Sequence, residues 1–151
     1  MNKKIVLIIG AILLLLDQII KFIVIDNNFV LIPGFLNLSY TENTGIAFGL
    51  NENNVILIIL VNVVILGIII KFLKENMDKI DMLEFISLIL VLVGGFGNLI
   101  DRIFRGHVID FININLFNFP VFNMADIYIT VGAIILLIVI IKQFFIKNEL
   151  E

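Results

Sequence analysis

Four runs of almost unbroken apolar residues divide this chain: Ile5–Ile25, Val55–Leu73, Met82–Phe104 and Ile127–Ile146. Each is near the ~20 residues a helix needs to cross the hydrocarbon core of a bilayer. Inside that core every backbone N–H and C=O must be paired within the protein, so only helices or closed barrels span it. Runs of this length read as helices. The composition agrees, with 61% hydrophobic and 15% charged residues, where a soluble domain carries about 45–50% and about 25%. The expected fold is membrane all-α: four transmembrane helices in one integral domain over residues 1–151, with outer loops over about 26–54 and 105–123.

Other classes fall away on composition. The formal net charge is -3 and no basic tract suits nucleic acid. There is no cysteine for disulfide or thiolate chemistry. With His107 the only histidine, neither a metal site nor a cofactor is expected. Lys3 and Lys4 before the first run resemble a signal peptide. The run is too long for one and lacks a small-residue cleavage site before Asp26, so it reads as a retained anchor.

Lys and Arg set the expected orientation. Lys3 and Lys4 precede the first helix, Lys71, Lys74 and Lys79 surround the second connection, and Lys142 and Lys147 close the fourth helix. The 26–54 loop has neither Lys nor Arg. Both termini are therefore expected in the cytoplasm, with the two long loops outside. Arg102 and Arg105 oppose this rule, which points to a specific role for one of them. The outer loops carry strand signals. After the Pro33-Gly34 turn, Leu36, Leu38 and Tyr40 alternate with Asn37, Ser39 and Thr41. Ile112, Ile114 and Leu116 alternate with Asn113 and Asn115. Short extended pieces lying on the membrane surface are expected.

Asp110 and Asp126 bracket the second outer loop at the edge of the apolar region. Ionisable residues at such depth are costly and mark function. If the two converge, one holds a proton and the other acts as base, which is enough to activate water. Each also has an ordinary reading: Asn123 as N-cap with Asp126 at N3 resembles a capping box, and Asp110 reads as an exposed loop acid. Asp17 and Lys21 share one helix face and pair, either as a structural clamp or within the site. Gly94, Gly95 and Gly97 allow close helix approach. Asn98 and Arg102 follow on one face, as polar glue or as groups that hold a substrate backbone. Asp101 beside them reads as a helix-end solubilising charge. The run from Asn43 through Gly45 to Gly49 is a tight turn or a peptide-binding edge.

Together these residues resemble the lipoprotein signal peptidase (signal peptidase II) family of bacterial intramembrane aspartic proteases. The blocks stand in the family's order: Asp17-Gln18-Ile19-Ile20-Lys21, Asn43-Thr44-Gly45-Ile46-Ala47-Phe48, Gly94-Gly95-Phe96-Gly97-Asn98-Leu99-Ile100-Asp101-Arg102, Val108-Ile109-Asp110-Phe111, and Phe122-Asn123-Met124-Ala125-Asp126. The resemblance implies that Asp110 and Asp126 are a catalytic dyad. It implies that Asp17, Lys21, Asn43, Gly45, Asn98, Arg102 and Asn123 support the site or contact substrate. It further implies cleavage of diacylglyceryl-modified prolipoproteins just before the lipidated cysteine, in a monomer surrounded by membrane lipids. The family pattern is departed from at Val93 and at Ile127-Tyr128. The rival reading, from another class, is a proton- or ion-coupled transporter using the same acids. Transporters, however, place such groups near the midplane in broken helices.

Overall fold

The computed structural model describes residues 2–25, 27–45, 54–116 and 119–150. Helix α1 runs Lys3–Val24, capped by the Asn2 side chain, which accepts from the Lys4 N–H. Strands β1 (Asn28–Ile32) and β2 (Leu36–Asn43) follow, joined through Pro33 and Gly34. Gly34 takes a left-handed φ of 73°, which glycine adopts without a Cβ clash. Helices α2 (Val55–Asn76) and α3 (Met82–Arg105) come next, then β3 (Val108–Ile114) and α4 (Met124–Leu150). The Asp81 side chain caps α3 by accepting from Glu84 N at 2.8 Å. Gly106, at φ 80°, ends it.

Four helices are long and apolar enough to cross a membrane. All four helices extend beyond the expected limits, α3 by the single residue Arg105. α1 begins at Lys3, α2 continues to Asn76, and α4 begins at Met124, three residues before the apolar run, because its first turn is built by polar caps.

α3 is the central helix and packs against α1, α2 and α4. Its sequence allows this, since small residues line the face that meets α4. A Cβ added at Gly94 would lie 2.2 Å from Ala125 O. Phe85, Leu88, Leu92, Val93, Leu99 and Tyr128 fill the core around it. The outward faces of α1, α2 and α4 carry Phe22, Ile56, Ile68 and Leu137, all well exposed. Such surfaces are suited to lipid rather than water.

At one end of the bundle the strands form an antiparallel sheet in the order β1-β2-β3. Its inner side rests on Val24, packed against the buried Ile109 and Phe111 side chains of β3. β3 starts at Val108, earlier than the alternation suggested, and Leu116 lies in the turn beyond it. β1 carried no sequence signal for a strand. Both loops thus join one platform. At the opposite end, Lys3 Nζ donates to Met77 O, and to Ile80 O at 3.2 Å, so the N-terminus meets the α2–α3 connection.

Candidate active site

The first turn of α4 is held by a reciprocal cap. Asn123 Oδ1 accepts from the Asp126 N–H at 3.0 Å, and Asp126 Oδ2 accepts from the Asn123 N–H at 3.0 Å. The capping-box reading of these residues is therefore correct, and it leaves the other carboxylate oxygen free for a second partner. Asp126 Oδ1 accepts from Asn98 Nδ2 at 2.8 Å. Asp110 comes from β3, which runs back toward this point after Gly106 turns the chain. Its Oδ1 accepts from Asn123 Nδ2 at 2.7 Å and its Oδ2 from Asn43 Nδ2 at 2.8 Å. Asn123 Nδ2 also reaches Asn98 Oδ1 at 3.1 Å. Two amides thus tie both acids into one network.

A buried ionic layer lies behind that network. Lys21 Nζ sits 2.9 Å from Asp17 Oδ2 and 2.8 Å from Asp101 Oδ2, and all three side chains are almost fully buried. The same ammonium donates to Asn98 Oδ1 at 3.1 Å. Asp17 Oδ1 accepts from the Ala125 N–H at 3.0 Å, so α1 fixes the start of α4. Asp101 Oδ2 accepts from the Ile109 N–H at 3.3 Å, the residue before Asp110. Its other oxygen pairs with Arg105. The reading of Asp101 as a solubilising charge is overturned: it is buried, because Lys21 and Arg105 compensate its charge where water is absent.

Arg102 Nη2 donates to Gly45 O at 2.9 Å, and Gly45 N donates to Asn43 Oδ1 at 3.0 Å. Both arginines that oppose the charge rule therefore have defined partners. Ile46 to Gly49 of the same block lie outside the described residues.

Asn43, Asn98, Arg102, Asp110 and Asp126 line one end of a cavity of about 780 Å³. Its walls continue as Leu57, Ile58, Val61 and Ile65 of α2 and Ile127 and Val131 of α4. α2 and α4 make next to no contact with each other among the described residues, so the cavity lies where the bundle is open sideways. Burial pushes the Asp110 carboxyl up from 3.8 to about 6. The Asp126 charge adds to this, while the Asn43 and Asn123 amides and Lys21 oppose it. Among the described residues no group of three or more His, Asp or Glu side chains is placed to hold a metal ion.

Asp17, Lys21, Asn43, Gly45, Asn98, Arg102, Asp110, Asn123 and Asp126, the site residues named from the sequence, all fall in this assembly. Sequence reasoning misread Asp101 and left open which of Arg102 and Arg105 has a role; the i, i+4 spacing of Asp101 and Arg105 was the available signal for their pair. That reasoning missed Gln18, whose Nε2 bonds Asp17 Oδ2 at 3.1 Å and Gly97 O at 3.2 Å.

Four membrane-length helices, with two acids gathered over a laterally open cavity, define a multi-pass membrane protein. The comparisons with known proteins make this specific. The family model described as signal peptidase (SPase) II matches residues 9–142. The lipoprotein signal peptidase of Fusobacterium nucleatum subsp. nucleatum is 34% identical over 142 residues, covering 91% of this chain and 86% of that one. That of Streptococcus agalactiae serotype V is 36% identical over 148 residues, covering 95% and 96%. A solved bacterial membrane enzyme superposes with a TM-score of 0.86 at 29% identity, over 93% of this chain and 90% of its own. The chain belongs to the signal peptidase II family and is a membrane peptidase.

Proposed function

We propose that the protein removes the signal peptide from diacylglyceryl-modified prolipoproteins, cutting N-terminal to the lipidated cysteine, with Asp110 and Asp126 as an aspartic dyad. One observation carries this reading: both acids line the same cavity and share the Asn98–Asn123 amide network. The names of the relatives support the substrate class.

The dyad holds one proton between its two carboxyls, so its titration belongs to the pair. The ionised carboxylate takes a proton from water as the water oxygen bonds to the scissile carbonyl carbon. The protonated carboxyl hydrogen-bonds the developing oxyanion. The C–N bond then breaks, and the leaving amine takes its proton from a carboxyl. The dyad is left again with one proton. Asn98, Asn123 and Asn43 hold the carboxylates in place. Arg102 secures Gly45 at the cavity edge, and the Asp17–Lys21 pair supports the layer beneath.

The same reading places both termini in the cytoplasm and the site near the outer face, working as a monomer and one domain. Its support is the charge distribution and the meeting of the N-terminus with the lysine-flanked α2–α3 connection. The transporter reading has no observation in its favour: each of the four described helices is continuous.

The test is to mix the purified protein in detergent with a prolipoprotein carrying or lacking the diacylglyceryl group. Mass spectrometry should find cleavage immediately before the cysteine in the modified substrate alone. Equal cleavage of both, or of neither, would refute the assignment.

A further inference from the structure

Between Asn54 and Lys71 of α2, Asn62 is the only polar side chain. An amide in a lipid-facing helix is costly unless it is paired. Among the described residues Asn62 makes a single hydrogen bond, a long one of 3.3 Å from Nδ2 to Gly95 O. That carbonyl lies inside α3, where the helix ladder already supplies it with a donor. Asn62 is therefore poorly satisfied by its neighbours. It lines the cavity that holds Asp110 and Asp126, and so does Thr130 of α4.

Depth along the helices follows from sequence. α3 runs toward the sheet and α4 runs away from it. Gly95 is three residues before Asn98, about 4.5 Å further from the sheet at the helical rise. Thr130 is four residues after Asp126, about 6 Å further in the same direction. Asn62 and Thr130 thus form a second polar tier one helical turn below the acids. The cavity wall around that tier is Ile58, Val61, Ile65 and Ile127.

We propose that this tier is an ester-recognition site: Asn62 Nδ2 and the Thr130 hydroxyl donate to the ester carbonyls of the glyceryl group on the substrate cysteine. The inference rests on the proposed function for the identity of the substrate. A peptide bond held at the acids puts the thioether-linked glycerol esters a few bonds away, about one helical turn deeper. There the acyl chains enter apolar wall and the carbonyls need donors. The opening between α2 and α4 lets such a group arrive from the bilayer. Asn62 and Thr130 act on selectivity and binding and take no part in bond breaking.

The experiment measures binding of two lipopeptides to the full-length protein in detergent. One carries a diacylglyceryl cysteine and the other the dialkyl ether analogue, which lacks both carbonyls. The native protein should bind the ester more tightly than the ether. Asn62→Leu and Thr130→Val should each shrink that preference about threefold to tenfold, the range for one net neutral hydrogen bond. Asn62→Thr, which keeps a donor, should restore part of it. In cleavage assays the loss should fall on KM rather than kcat. An unchanged ester-to-ether ratio in Asn62→Leu and Thr130→Val would overturn the inference, and a lower melting temperature with that ratio intact would make Asn62 an interhelical packing contact. Binding needs no chemistry, so a peptide bound with ester preference but left uncut would sink the proposed activity and keep this site.

Discussion

Replacing Asp110 by Asn should change stability in a pH-dependent way whose sign follows from the site. The folded protein holds the Asp110 proton more tightly than the unfolded chain, with its carboxyl raised from 3.8 to about 6. Between those values the native state binds more protons than the unfolded one, so stability falls as pH rises through the window. Above about pH 6 the wild type carries the full penalty, about 3 kcal/mol for a shift of this size. Roughly half of it is relieved on acidification from pH 7.5 to 5. The Asn variant has no such carboxyl and loses this term. It is offset by a mismatch, because the new amide NH₂ must face a donor from Asn43 or Asn123. A buried donor left unsatisfied costs about 1–3 kcal/mol. The variant should therefore match or exceed the wild type in stability at pH 7.5, and its advantage should shrink by about 1.5 kcal/mol at pH 5. Unfolding in detergent followed by circular dichroism across that range measures it. A difference independent of pH, or one that grows on acidification, would refute the reasoning.

Three other outcomes follow from particular contacts. Lys21→Ala strands the buried Asp17 carboxylate and leaves Asp101 with Arg105 alone, while Asp17→Ala leaves Lys21 still paired with Asp101. Thermal unfolding should therefore show the lysine variant as the worse, with a loss of about 3–5 kcal/mol or more; equal losses would contradict the shared-cation picture. Gly94→Ala should abolish folding, since its Cβ meets the backbone Ala125 O at 2.2 Å, whereas Gly67→Ala meets nothing within 4 Å. The second variant should gain up to about 1 kcal/mol from helix propensity, and similar melting temperatures for the two would count against the α3–α4 packing. Asn123→Ala removes contacts to both acids and should lower turnover at least about 100-fold, the low end for a positioned acid–base group. Near-normal turnover of the folded fraction would remove Asn123 from the site.

The helices and the two acids were legible because each has a strong local signal: length for one, charge beside apolar runs for the other. β1 was not, since after Asn28 the run Phe29 to Ile32 is apolar without alternation, and the strand is exposed on both faces. Its pairing is set by β2 across the Pro33-Gly34 turn rather than by its own pattern. Asp101 was misread because its main partner, Lys21, lies 80 residues away, and only the packing of α1 on α3 brings them together. Asp126 shows the reverse case. Its cap was readable from Asn123, and its bond to Asn98 arises only because Gly94 and Gly97 bring α4 close to α3.

The central claim is that Asp110 and Asp126 carry the chemistry together. The most direct test is turnover of a diacylglyceryl-modified prolipoprotein by Asp110→Asn and Asp126→Asn, each normalised to its folded fraction. Both variants should insert, fold and bind the lipopeptide, and both should lose cleavage by at least about 100-fold to 10,000-fold, as expected when a general acid or base is removed. Near-native turnover by either one would contradict the dyad.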